Sequence, residues 1–371
     1  MKLKVIAFQK VNLPRVSKIL FGISIFFGLG ACTPEEVAEE VPQIATFVTL
    51  VAGSDASPQN SGAYRAKYWV NGKEYLLTDG VGAARALGIA GISTGFRTAD
   101  AYVVGYEIKN QTYQARLWKN QVPQTLEIGD GESRAEAVFI KGTDIYACGY
   151  DYTFLGAQAV YWKNGTRTYL PSGDYTSFGL SIFVDTNDDV YVAGYVREPV
   201  GDVLKNKAVY WKNGVKIYLQ NTGPTTRDQD AVAIVVKNNK VYVAGNNSGT
   251  TELSVSYPVY WEDNVFGLID NPNAVATAIA VDNDNNIFIS GSKYRNGNPV
   301  AAVWKNNIDT NMEPNSSNSR VNSIFLFKNE LHKAGIANAG NNTVAASWKP
   351  NDTRTNLGTG ISEANSIFIV E

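Results

Sequence analysis

Three arginines and two acids share one spacing in this chain. Arg85, Arg134, Asp230, Arg320 and Glu363 each stand four residues before an Ile or Val, namely Ile89, Val138, Ile234, Ile324 and Ile367. A forked guanidinium can grip a carboxylate or sulfate through two hydrogen bonds, so such a set could recognise a polar or anionic group. The same charges could also simply pair with one another in solvent. Tyr106, Tyr150 and Tyr195 each follow a Gly that ends a short apolar run. Aromatics beside polar forks are a common way of holding sugars and peptides. A further set of acids, Asp79, Asp130, Asp174, Asp228 and Asp270, falls in polar stretches. Paired carboxylates hydrolyse glycosides, although Asp beside Gly is equally ordinary turn chemistry.

Other chemistry is thinly supplied. His332 is the single His, so a Ser-His-Asp triad has only this candidate. In "LHKAG" it holds the slot filled by Tyr102, Tyr146, Tyr191, Tyr242 and Phe288 in like segments, which reads as a substitution within a repeat. Cys148 fills the slot of Ala193 and Ala244 and reads as a small buried hydrophobe. Asp185, Asn187 and Asp189, and likewise Asp282, Asp284 and Asn286, alternate as oxygen ligands of Ca²⁺ do. The eighth position after each first Asp, where another carboxylate would help, is Ala193 or Ser290. The turn reading is preferred, and neither a metal nor a cofactor is expected.

The elements that carry these residues show up as an internal repeat, the first thing to seek in such a chain. All 7 Trp occupy one repeat position: Trp69, Trp118, Trp162, Trp211, Trp261, Trp304 and Trp348. Each is preceded by a short run closing on Gly ("VYVAG", "IYACG", "IFISG"), and most of these by another ("SIFV", "AIVV", "AIAV"). The runs are short, β-branched or aromatic, and bounded by turn residues, so they read as strands. "AVYWKNG" occurs at 159–165 and again at 208–214. Its first four residues make a strand with a packing Trp, and Asn-Gly suits a two-residue hairpin turn with φ > 0 at both positions. Each repeat is then a four-stranded antiparallel meander, with strands a to d.

Such a meander repeated at this spacing predicts an all-β chain folded as a β-propeller. The repeats begin at strand b ("FVTLVAG") and finish on strand a ("SEANSIFIVE"). The C-terminal strand should therefore complete the first blade, giving a seven-bladed propeller of four-stranded antiparallel blades and covering a sheet edge. The antiparallel order puts all d–a and b–c loops on one face, and the Arg85 register at the loop-rich mouth of a central channel. "AIAVDNDNNIFISG" and "SIFVDTNDDVYVAGY" resemble the repeat of bacterial secreted β-propeller proteins (SBBP-like). "AVYWKNGTRTYL" and "AVYWKNGVKIYL" resemble the extracellular HAF-type repeat. These resemblances cover nearly all of 47–371 and imply a propeller with strand a innermost. They imply nothing specific about activity.

The N-terminal 31 residues read as a removable leader. A basic stretch precedes the apolar "ILFGISIFFGLG", too short for a membrane-spanning helix. "LGAC" then resembles a bacterial lipobox, which implies lipidation of Cys32. Residues 32–45 are acidic and read as a tether, or as a tag for export to the outer face, and 46–371 form the propeller. Without the leader, 28 basic side chains face 35 acidic ones, which argues against a nucleic-acid partner. The expected protein is a lipid-anchored binding or scaffold module of the bacterial envelope, at the outer membrane on either leaflet. Its expected partner is a glycan or protein bound by Arg85, Arg134, Asp230, Arg320, Glu363, Tyr106, Tyr150 and Tyr195. The alternatives are a glycan-active hydrolase or lyase using loop carboxylates, and a subunit of an outer-membrane assembly.

Overall fold

The computed structural model describes residues 47–129, 131–220, 227–249, 255–313 and 318–371. The leader, Cys32, the tether and Asp130 lie outside the described residues. The described strands form seven four-stranded antiparallel sheets. Blade 1 consists of β1 (Val48–Ala56), β2 (Tyr64–Val70) and β3 (Lys73–Leu76), with β28 (Ser362–Val370) as its inner strand. Blade 2 is β4 (Ala84–Gly95), β5 (Thr98–Lys109), β6 (Thr112–Lys119) and β7 (Val122–Gln124). Blade 3 is β8 (Ser133–Lys141), β9 (Asp144–Thr153), β10 (Gly156–Lys163) and β11 (Thr166–Tyr169). Blade 4 is β12 (Thr176–Val184), β13 (Val190–Val200), β14 (Val203–Lys212) and β15 (Val215–Tyr218). Blade 5 is β16 (Asp228–Lys237), β17 (Lys240–Ser248), β18 (Ser256–Glu262) and β19 (Val265–Leu268). Blade 6 is β20 (Val275–Val281), β21 (Ile287–Arg295), β22 (Asn298–Lys305) and β23 (Ile308–Asp309). Blade 7 is β24 (Arg320–Phe327), β25 (Glu330–Ala339), β26 (Asn342–Trp348) and β27 (Arg354–Asn356). The inner strands touch in the order β28, β4, β8, β12, β16, β20, β24, and β24 returns to β28. The protein is a seven-bladed β-propeller whose C-terminal strand completes the first blade.

The Trp row holds the blades together. Every one of the seven indoles is at most 1% exposed. Each packs in the seam between its own blade and the preceding one: Trp162 meets Tyr102, Val104 and Leu117 of blade 2, and Trp69 meets Ala334 and Ala345 of blade 7. Several indole N–H groups also bind the link arriving from the preceding blade. Trp162 donates to Glu127 O at 2.7 Å, Trp211 to Pro171 O at 2.8 Å and Trp261 to Gln220 O at 2.7 Å.

The repeated Asn has two tasks. Asn164 and Gly165 take φ of 51° and 86°, as the hairpin turn requires. Asn164 Oδ1 also accepts the N–H of Ile145, the second residue of strand b, at 2.9 Å. Asn71, Asn120, Asn213, Asp263 and Asn306 do the same for Thr49, Ala101, Val190, Val241 and Ile287, at 2.8–2.9 Å. Only the c–d connection of blade 7, "KPNDT" at 349–353, departs from this device.

Strand b does not close on its Gly, as the sequence suggests. It runs on for three or more residues, to Thr153 beyond Gly149 and to Val200 beyond Gly194. Opposite each such Gly the inner strand carries a β-bulge, between Ala86 and Gly88, Ala135 and Ala137, Gly179 and Ser181, and at matching places in the other blades. The bulge turns the carbonyl of the residue in the Arg85 register onto the Gly. A Cβ there would lie 1.9 Å from Arg134 O at Gly149, and 1.8 Å from Phe178 O at Gly194. These glycines therefore serve close approach, not positive φ. Gly149→Ala is expected to destabilise by about 1–3 kcal/mol through backbone displacement. Gly360→Ala, where nothing lies within 4 Å, should be nearly silent. Urea melts of the two variants side by side test this, and equal midpoints would refute the close-approach reading.

Candidate functional site

The bulge decides where the inner-strand side chains go. It leaves one extra residue per blade and re-aims its neighbours. In every blade the residue of the Arg85 register lies across from the residue after the strand-b Gly. The pairs are Arg85 with Tyr106, Arg134 with Tyr150, Phe178 with Tyr195, Asp230 with Asn246, Val275 with Ser292, Arg320 with Ile336, and Glu363 with Ser54. Two of the arginines and two of the tyrosines singled out from sequence are thus cross-strand neighbours, whereas Tyr195 faces Phe178 and Asp230, Arg320 and Glu363 face residues of other kinds.

Their partners differ. Arg85 forms an ion pair with Glu363 across the seam between blades 1 and 2, and its guanidinium lies 4.2 Å from the ring centre of Tyr64. Arg134 sits over Tyr106 at 4.5 Å and within 5.9 Å of both Tyr113 and Tyr150. Its Nε is 3.2 Å from Glu136, the extra residue of the blade 3 bulge. Arg320 donates to the side chain of its neighbour Asn322 and forms no ion pair with a carboxylate among the described residues. Asp230 accepts a hydrogen bond from Asn206 Nδ2 at 2.9 Å and forms no ion pair with a ring arginine among the described residues.

The tyrosines are less open than sequence suggests. Tyr106 is 8% exposed, because Arg134 lies on its face and Tyr113 meets its edge at 5.1 Å. Tyr150 and Tyr195 are partly buried and flank Phe178, whose ring lies 4.9 Å from each. An aromatic arc therefore runs along blades 2 to 4 with one arginine set into it. Glu136 and Phe178 complete this arc. Phe178 shares the register visible in sequence, but Glu136 is placed by a bulge that leaves no mark in the residue pattern.

Burial sets the protonation of the group. It pushes the Tyr150 phenol up to about 12 against the opposing charge of Arg134. Burial, with the charge of Asp230, raises Tyr195 as well. These phenols stay neutral hydrogen-bonding groups at physiological pH. Burial also raises Asp230, with Asp228 adding to the shift and the Asn206 hydrogen bond opposing it. Glu136 rises through burial, opposed by Arg134. Asp230 and Glu136 are thus biased toward the protonated form.

The remaining candidates serve the scaffold. Asp185 Oδ1 accepts the N–H groups of Asn187 and Asp189 at 2.8 and 3.0 Å, and Asp282 Oδ1 those of Asp284 and Asn286 at 2.9 and 2.8 Å. Asp79 Oδ1 accepts the Val81 N–H at 3.0 Å, and Asp228 Oδ1 that of Asn206 at 2.7 Å. Asp174 and Asp270 are exposed. Cys148 is fully buried, which raises its thiol well above the ordinary range. His332 faces Phe325 across the ladder in the slot held elsewhere by Tyr or Phe.

No protein-family model matches the chain, and no curated protein matches it in sequence. Solved structures do resemble it. A puromycin-hydrolysing peptidase of Mycobacterium tuberculosis superposes with a TM-score of 0.54 at 10% identity, over 86% of this chain and 53% of that one. This chain spans about half the length of that peptidase. A candidate 6-phosphogluconolactonase from Bacteroides fragilis gives a TM-score of 0.42 at 13% identity, over 88% and 98% of the two chains. At such identity the likeness is one of fold.

Proposed function

We propose that the chain is a binding module of the bacterial envelope, tethered through lipid on Cys32, that recognises an anionic or polar group of a glycan or peptide at its channel mouth. The observation that carries this reading is the uneven pairing of the ring. Arg85 is neutralised by Glu363 and Arg134 is clamped between tyrosines beside Glu136, whereas Arg320 meets no carboxylate among the described residues. A half-buried guanidinium with spare donors is a recognition element for carboxylate, sulfate or phosphate. The arc of Tyr150, Phe178 and Tyr195, in blades 3 and 4 of the same ring, offers faces for a sugar ring or an apolar side chain. The hydrolase alternative gains less support, since Asp79 and Asp228 spend an oxygen on backbone N–H groups.

The test begins with a pull-down from intact envelopes, which separates a polysaccharide from a protein partner. The captured ligand is then titrated against Arg320→Ala and against Lys212→Ala on the opposite face. Loss of one charged hydrogen bond should weaken binding by about 1.5–3 kcal/mol in Arg320→Ala and leave Lys212→Ala unchanged. Equal affinity for both variants would discard the channel-mouth site.

A further inference from the structure

The opposite face carries a departure from the repeat that the channel mouth does not explain. In blades 2, 3, 4 and 6 the residue after the Trp is a Lys lying over the ring of the strand-b aromatic. Lys119 covers Tyr102 at 5.4 Å, Lys163 Tyr146 at 5.2 Å, Lys212 Tyr191 at 5.2 Å and Lys305 Phe288 at 5.3 Å. Blade 7 breaks both halves of this unit. His332 replaces the aromatic, and strand c ends at Trp348, so Lys349 leaves the ladder and enters a five-residue turn. The turn is itself well built: Asp352 N–H donates to Lys349 O at 2.9 Å, and the buried Lys333 reaches Asp352 at 2.7 Å.

The consequence falls on the seam where the propeller closes. The apolar cluster between blades 7 and 1 is the smallest of the seven interblade clusters, with Val51, Trp69, Ala334, Ala345, Ala364 and Ile367 buried. Beside it opens a cavity of about 430 Å³, lined on its apolar side by Phe47, Val51, Leu357 and Ile367, and on its polar side by Arg97, Glu330, His332 and Lys349. That volume falls within the range of small-molecule sites, about 300–1,000 Å³. Neither Arg97 nor Lys349 forms an ion pair with a carboxylate among the described residues. His332 is 6% exposed, Phe47 meets its ring at 5.6 Å edge-on, and its Nε2 is buried without a hydrogen-bond partner among the described residues. Buried polar atoms are nearly always satisfied, so His332, which lines the cavity, keeps hydrogen-bonding capacity that the described protein does not use. Burial brings the His332 imidazole down to about 4, with the charge of Lys333 adding to it, so the ring is neutral at physiological pH. It can exchange one hydrogen bond without carrying charge.

We propose that this cavity is a second ligand site, on the face opposite the channel mouth, for a small planar molecule with an anionic group. The ring of the ligand would lie among Phe47, Val51 and Leu357, its anion toward Arg97 and Lys349, and a polar ring atom at His332. The closure seam buries the smallest apolar cluster of the seven, and a ligand in this cavity would supply contact that the seam itself lacks.

Indole-3-acetate, with a planar ring, an N–H and a carboxylate, is a suitable probe, and 3-methylindole is its neutral counterpart. Binding to the full chain is read by titration calorimetry, with the melting temperature of each variant recorded alongside. His332→Tyr restores the residue of blades 2 to 5 and should fold at least as well, while filling the cavity and abolishing probe binding. Arg97→Ala combined with Lys349→Ala touches only exposed side chains and should weaken indole-3-acetate about tenfold or more. 3-Methylindole should bind the wild type about tenfold more weakly than the acid, and Lys163→Ala, an exposed cation on the same face in blade 3, should bind the acid as the wild type does. Absence of probe binding to the wild type, unchanged binding in a folded His332→Tyr, or loss of binding in Lys163→Ala would overturn the site. Equal affinity for the acid and for 3-methylindole would overturn the anionic class.

Discussion

Removal of residues 362–371 is expected to abolish cooperative folding rather than trim a loose end. β28 pairs with β1 from Val48–Val370 through to Asp55–Ser362 and supplies the inner wall of blade 1. Ala364, Ile367, Ile369 and Val370 are at most 7% exposed. Full burial of each large apolar side chain is worth about 1.5–3 kcal/mol, so Ile367, Ile369 and Val370 together approach the whole stability of an ordinary domain, about 5–15 kcal/mol. The polar contacts are equally specific. Ser366 accepts the Ile89 N–H at 3.3 Å and Asn365 donates to Ala86 O at 2.9 Å, both in blade 2. From blade 7, Asn322 donates to Ala364 O at 2.8 Å and Ser323 accepts the Ile367 N–H at 3.2 Å. Loss of the strand therefore opens two seams and leaves β1 with a bare edge. The truncated chain should show no sharp thermal transition and should be cleaved rapidly within blade 1 by a non-specific protease. A melting temperature equal to that of the full chain would show that closure does not depend on β28.

Much of this architecture was legible because the repeat is written in side chains. Trp has few reasons to recur at one spacing except to fill equivalent seams, and Asn-Gly can hardly serve a position other than a tight turn. The four-residue step from Arg85 to Ile89, repeated in each blade, correctly put the charged residues in one register. What escaped was backbone geometry. The bulge residues Leu87 and Glu136 sit in runs that read as plain alternation, so the pairing of Glu136 with Arg134 had no signal. Gly149 looked like a strand terminus because Gly usually marks a break, whereas here it admits the Arg134 carbonyl within a continuing strand. The burial of Tyr106 depends on Tyr113, which belongs to the next strand and has no fixed place in the repeat. The closure-seam cavity depends on a turn that lifts Lys349 out of its ladder, although the substitution at His332 was visible.

The other large effect is expected at Trp211. Its indole is 0% exposed and packs between blades 3 and 4 against Tyr146, Cys148 and Leu170, while its N–H donates to Pro171 O at 2.8 Å. Two contributions are combined there, and two substitutions separate them. Trp211→Phe keeps most of the apolar contact but removes the donor to the carbonyl of the exposed Pro171; the expected cost is about 0.5–1.5 kcal/mol, the usual net worth of one hydrogen bond. Trp211→Ala removes the ring as well and leaves a cavity in a seam whose walls are β-sheets and cannot collapse freely, so its cost should reach about 3–5 kcal/mol. Urea denaturation of both variants measures the two steps. A seam held mainly by packing gives a clear further loss from Phe to Ala, whereas equal midpoints for the two would mean that the hydrogen bond to the incoming link dominates. If both variants kept the stability of the parent chain but lost the envelope ligand, the Trp row would be a binding stripe, and the division between a Trp-filled interior and a recognising channel mouth would have to be abandoned.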